Sequence, residues 1–172
     1  FVSFVTLWCT FGQPFNPHVS FPGRFEVGKN HRNLREHVFS PQLYFLNRGA
    51  RAGSVLNLIL VLDDKKRKYF LVPVYDLIST ELNLTREERP LRANAFCAFS
   101  LKGRESLVKQ VMFMSRDGTE PLVFQQGEYG VTLYAITSAR KSWTKLATAN
   151  FAIIQQDLEI LDPKLPQGFK GK

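Results

Sequence analysis

Cysteine and histidine are scarce in this chain, with two of the first and three of the second among 172 residues. A disulfide scaffold needs several cysteines, and a zinc cluster needs ligands in closely spaced pairs, so neither organises the fold. His18, His31 and His37 stand well apart, no cysteine or paired carboxylate joins them, and all three read as lying in or beside loops. No metal and no cofactor is expected. Also missing are a Gly-x-Ser-x-Gly elbow, a glycine-rich phosphate loop and a His-Glu-x-x-His helix. The carboxylates of Asp63-Asp64 and Glu87-Glu88 are neighbours flanked by bases, which is a surface pattern and not an acid/base pair. No catalytic residues are expected, and an enzyme on this scaffold is the least favoured reading.

Charge is absent from the front of the chain. No Lys, Arg, Asp or Glu precedes Arg24, and the first residue is Phe1, not Met. The opening FVSFVTLWCTF is mostly apolar, yet a bilayer span needs about 20 such residues. Two expectations remain open for residues 1–13: the outer end of a membrane helix, with Trp8 at headgroup level, or a first β-strand. Pro14 and Pro17 stop a helix from continuing. A signal peptide fits poorly, having neither a basic start nor a small-residue cleavage site here. The expected organisation is a remnant of an anchor or first strand (1–13), one β domain (14–161) and a flexible tail (162–172) rich in Pro, Gly and Lys.

What the chain has is phenylalanine, fifteen copies, in a composition 44% apolar and 22% charged, which suits a folded domain. The formal charge of +8 is spread along the length, with no basic half set against an acidic one. That makes it a general surface property, and no nucleic-acid partner is expected. Short apolar runs broken by turn signals then dominate. Candidate strands are 19–27 (interrupted by Pro22-Gly23), 37–47, 54–62, 69–75, 95–101, 107–115, 128–137 and 144–154. In the third, Leu56, Leu58, Leu60 and Leu62 share one face, and Val55, Ile59 and Val61 the other. Pro73 calls for an edge or a bulge. The polar connection 77–92 reads as a loop with a helical turn, Thr85 capping and Glu88 three residues on. About eight strands at this spacing predict an antiparallel β-sandwich.

Two stretches are candidate contact sites. Lys65, Lys66, Arg67 and Lys68 follow two aspartates at a hairpin tip. They are either a solvated turn or a basic finger for phosphate, from a lipid headgroup or another source. Arg48, Gly49, Arg51 and Gly53 lie between a strand ending at Asn47 and the most apolar strand of the chain. Here the glycines permit a positive φ, and Asn47 can bond its own backbone to fix the turn. This is a well-made connection or a partner-contact loop. Cys97, in an alternating run, is expected to be small and buried and to form no bridge with Cys9.

At Asn47-Arg48-Gly49-Ala50, Gly103-Arg104-Glu105-Ser106 and Gly127-Glu128-Tyr129 the chain resembles bacterial envelope domains with an immunoglobulin-like sandwich. It is also similar to adhesion-type and fibronectin-type modules. The resemblance covers roughly residues 14–154, and its motifs are short and common among sandwiches. It implies an immunoglobulin-like β-sandwich that follows a single membrane helix, with a Pro-Phe segment such as Pro14-Phe15 leading into the first strand. The resemblance speaks to fold far more than to function. A rigid sandwich that presents end loops and apolar strands without a reactive cluster is expected to be non-catalytic: a membrane-tethered, extracytoplasmic interaction or structural module whose partner is another envelope protein. The alternative is a soluble module that binds anionic ligands through the basic tip.

Overall fold

The computed structural model describes residues 5, 6, 8, 12–23, 25–30, 33–78 and 92–161. The described residues form ten strands: β1 (Pro17–Ser20), β2 (Phe25–Asn30), β3 (Asn33–Asn47), β4 (Gly53–Asp63), β5 (Lys68–Ile78), β6 (Arg92–Ala95), β7 (Phe99–Leu101), β8 (Ser106–Ser115), β9 (Gly127–Thr137) and β10 (Arg140–Ile153). One short helix, α1 (Gln155–Leu161), follows them. All pairings are antiparallel, so the fold is all-β as expected, with ten strands in place of about eight.

The strands hydrogen-bond as one sheet in the order β1-β3-β8-β5-β4-β9-β10, with β2, β6 and β7 paired to β3, β5 and β4. The two ends of that path, β1 and β10, lie against each other without a ladder between them. The sheet is therefore curled into a nearly closed, barrel-like shape. β1 and β2 follow one another along the same side of β3: Pro17 pairs with Asn47 and Ser20 with Tyr44, then Phe25 with Pro41. Between them Gly23 takes a positive φ of 91° at the Pro22-Gly23 interruption.

Alternation along the strands places the core. In β9, Tyr129, Val131, Leu133, Ala135 and Thr137 all point inward and are buried. In β3, Leu43, Phe45 and Asn47 share the buried face the sequence predicts. Aromatic rings fill the place where the ladder fails to close. Phe25 of β2 stacks on Phe151 of β10 at 5.1 Å, and Phe151 also stacks on Phe39 at 5.2 Å and Tyr129 at 5.4 Å. Such pairs add about 0.5–1.5 kcal/mol each beyond the area they bury.

Four local expectations change. The alternation in β4 slips, because its register against β9 shifts between Val55 and Asn57. A bulge there sends both Val55 and Leu58 into the core and leaves Leu56 46% exposed, off the face it was expected to share. Pro73 does sit at a bulge, since the register of β5 against β8 shifts between Pro73 and Tyr75, although β5 is an interior strand. The expected strand 95–101 is two short ones. β4 and β5 pair only over Leu60–Asp63 and Lys68–Leu71, and where they part β6 joins β5 and β7 joins β4. Cys97 lies in the crossing between β6 and β7, so it is an exposed free thiol and not a buried residue. The helix α1 was not expected. Asp157 starts it by accepting a hydrogen bond from the Ile154 amide at 2.9 Å.

In the leading segment, Val5 and Thr6 are helical and not extended, and Val5 and Trp8 are exposed. No helix among the described residues is long and apolar enough to cross a membrane. The helical turn expected within 77–92, His31, Cys9 and the tail 162–172 fall outside the described residues, apart from β5 reaching Ile78 and β6 starting at Arg92.

Candidate functional site

The end of β3 carries the most heavily bonded side chain of the molecule's upper end, meaning the end where β4 begins. Asn47 is fully buried. Its Oδ1 accepts from the amides of Gly49 at 2.9 Å and Asn16 at 3.2 Å, while its Nδ2 donates to the carbonyls of Arg51 and Lys102, each at 2.8 Å. The self-bond to Gly49 is the one expected from sequence. The others tie three stretches of chain together: the 13–16 approach to β1, the 48–53 loop and the 102–105 turn. Backbone bonds finish the clamp. Arg48 N donates to Asn16 O, the amides of Ala50 and Arg51 share Gln13 O, and Arg104 N donates to Gly49 O.

Gly49 and Gly53 serve this clamp in a way that differs from expectation. Neither has a positive φ. A Cβ on Gly49 would overlap the Pro14 carbonyl oxygen, and one on Gly103 would overlap the Ala50 carbonyl. Gly49 and Gly103 thus allow backbones to touch, whereas a Cβ on Gly53 would overlap the Phe15 ring. Arg48 and Arg51 project outward from this fixed loop and are exposed.

Beside the loop lies a half-open cleft of about 810 Å³ where β1 and β10 face each other. Gln13 to His18 form one wall, Arg48 and Gly49 the rim, and Thr137, Ala139, Arg140, Thr144, Lys145 and Leu146 the other wall. Three of the lining side chains, Arg48, Arg140 and Lys145, are permanent cations, and no acid is among the described residues that line the cleft. Sequence reasoning singled out Arg48 here but not Arg140 or Lys145. Arg140 falls between the candidate strands 128–137 and 144–154, and nothing local says that β10 will return to β1.

The basic hairpin tip sits at the other end of β4, and there the charges are answered. Lys65 pairs with Glu128 at 2.6 Å, Arg67 pairs with Glu120, and Lys68 approaches Asp63 at 3.6 Å. Lys66 has no ion pair among the described residues. The hydrogen bond from Lys65 holds the Glu128 carboxyl below its ordinary range, and the same bond raises Lys65. The aspartates shape the turn. Asp63 accepts from the Lys65 amide at 2.9 Å, and Asp64 accepts from the amides of Lys66 and Arg67 at 2.8 and 2.6 Å. Slight burial pushes the Asp64 carboxyl up, but these backbone donors outweigh it and hold the group low.

Of the histidines, His18 is exposed on β1 at the cleft wall. His37 lies inside β3 and is buried, not in a loop. Its Nδ1 accepts from the Phe124 amide at 2.9 Å, and its ring stacks on Phe124 at 5.9 Å. An amide can only donate, so Nδ1 carries no proton in this arrangement. No group of three or more His, Cys, Asp or Glu among the described residues is placed to hold a metal ion.

No protein-family model matches the chain, and no curated protein does. Among solved structures, a Bordetella pertussis protein provisionally assigned as ApaA matches with a TM-score of 0.33 and 12% identity, over 83% of this chain and 98% of that one. At that score the likeness carries no argument about fold or function.

Proposed function

We propose that the chain is a non-catalytic interaction module of the bacterial cell envelope, tethered to a membrane through residues 1–13 and facing away from the cytoplasm. In this reading the curled sheet acts as an immunoglobulin-like sandwich does, a stiff body that holds one end ready for another envelope protein. The supporting observation is the Asn47 clamp. It fixes the backbone under Arg48 and Arg51, so little loop entropy is left to lose when a partner is met. At the same end Leu56 and Trp143 are 46% and 45% exposed, on either side of Ile136. The rival anion-binding tip has less support, because three of its four bases already face acids.

A photo-crosslinking residue in place of Arg51, and separately of Asp117 at the opposite end, tests the contact surface in cells making the protein. A discrete adduct from position 51 alone is expected. Equal adducts from both positions, or none from 51, would overturn the reading. Removing residues 1–12, which leaves the Gln13 carbonyl of the clamp in place, is expected to release the chain from the membrane fraction, and an unchanged distribution would remove the tether.

A further inference from the structure

We infer that the cleft between β1 and β10 is a binding site for a phosphate monoester, held by Arg48, Arg140 and Lys145. The argument begins with how the described cations are distributed. Lys65, Arg67, Lys68 and Lys109 each face an acid of this chain, namely Glu128, Glu120, Asp63 and Asp76. Arg48, Arg140 and Lys145 have no ion pair to an acid among the described residues, as is also true of Lys66 and Arg51, but these three alone line one cleft, and no acid is among its described lining residues. Three like charges on the walls of one concavity raise the local potential, and a bound anion relieves it.

Geometry narrows the ligand. Two arginines offer planar forks that match the oxygens of a phosphate, and a lysine adds a point charge, a set suited to a dianion more than to a single carboxylate. The cleft, about 810 Å³, is far larger than a bare phosphate and falls within the range of small-molecule sites. Pro14, Pro17, Ala139 and Leu146 supply an apolar lining for a carbon body beside the phosphate. The walls are stiff. Arg48 stands on the Asn47-clamped loop, and the Arg140 amide donates to Thr137 Oγ1 at 3.2 Å, which closes the β9–β10 turn. A preorganised site of this kind spends little of its binding energy on ordering itself.

This inference rests on the reading of the upper end as the contact end, and adds the chemistry that end recognises. The monoester can be a soluble metabolite or a lipid headgroup, and two probes separate them: glycerol 3-phosphate in solution, and phosphatidic acid in phosphatidylcholine vesicles. Binding is measured by calorimetry and by vesicle co-sedimentation at about 20 mM and about 300 mM NaCl, where screening differs strongly. The full chain is expected to bind at least one probe saturably, more weakly at the higher salt. Arg48→Glu, Arg140→Glu and Lys145→Glu are each expected to weaken binding about tenfold, the loss of one charge-assisted contact. Lys66→Glu, an equal charge change at the far tip, is expected to leave it within about twofold. Circular dichroism confirms that each variant is folded, since all four side chains are exposed. Binding of glycerol 3-phosphate marks a soluble ligand, and binding of vesicles alone marks a lipid. Binding of neither, or an equal loss in the Lys66 variant, overturns the inference. Persistence of the position-51 adduct in that case would leave the interaction reading standing without the phosphate site.

Discussion

An asparagine side chain has two donors and two acceptor lone pairs, and Asn47 uses all four inside a buried site. Asn47→Ala would strand two carbonyls and two amides at once. At about 1–3 kcal/mol for a buried polar group left unpaired, with partial relaxation, the expected loss is about 3 kcal/mol. Asn47→Asp is expected to lose at least as much, because a carboxylate cannot donate to the Arg51 and Lys102 carbonyls. Urea unfolding with an unchanged slope checks both. One of the four bonds was legible in the sequence, as the Asn-x-Gly spacing that lets a side chain reach its own turn. The other partners, Asn16, Arg51 and Lys102, were not, because long-range pairing sets two of them and the path of the loop sets the third. The same blindness explains the glycines. A turn glycine read from sequence suggests a positive φ, whereas Gly49 answers to a carbonyl more than thirty residues upstream.

Among the elements, β10 carries the seam. It lies against β1 without a ladder and meets β2 through rings, so at that junction Phe151 does what hydrogen bonds do elsewhere in the sheet. Phe151→Ala would remove its contacts with Phe25, Phe39 and Tyr129 together. The expected cost is about 3 kcal/mol, the low end for a large aromatic truncation, since the ring is half-buried. Amide exchange in β2 and β10 is expected to quicken before that in β4, and uniform quickening would show that the seam is not a separate unit. Strand positions were largely legible, because alternation reports on one strand at a time. Leu56, Cys97 and the split of 95–101 were not. Each depends on what a neighbour does: the bulge against β9, and the fork where β4 and β5 part.

At the scale of the whole molecule, buried phenols shape the alkaline limit of stability. Burial pushes the Tyr69 phenol up, and the charge of Asp64 adds to it. Burial likewise raises Tyr129, against a smaller opposing effect of its hydrogen bond with Gln125. A raised phenol binds its proton more tightly in the folded chain than in the unfolded one, whose tyrosines titrate near pH ~10. The stability this represents is whole below pH ~10 and is lost as the pH climbs past it. Melting temperatures are expected to fall above that point, with Tyr129→Phe showing a shallower decline, while absorbance near 295 nm follows the late titration. The acid limb is expected to be slight, because Asp64 and Glu128, whose pKa values are lowered, sit at the exposed tip. The curl of the sheet was invisible in the sequence, since no single stretch announces that the first and last strands will meet. The cleft was invisible with it. The Asn47 clamp also has a consequence for how such a chain can change over generations. Gly49 fits under the Pro14 carbonyl and Gly103 under the Ala50 carbonyl with no room for a methyl group, so a change at either is expected to be tolerated only with a matching change in the stretch it touches. An inserted residue between Asn47 and Gly53 is therefore expected to cost far more stability than one inserted in the exposed tip at residues 64–67.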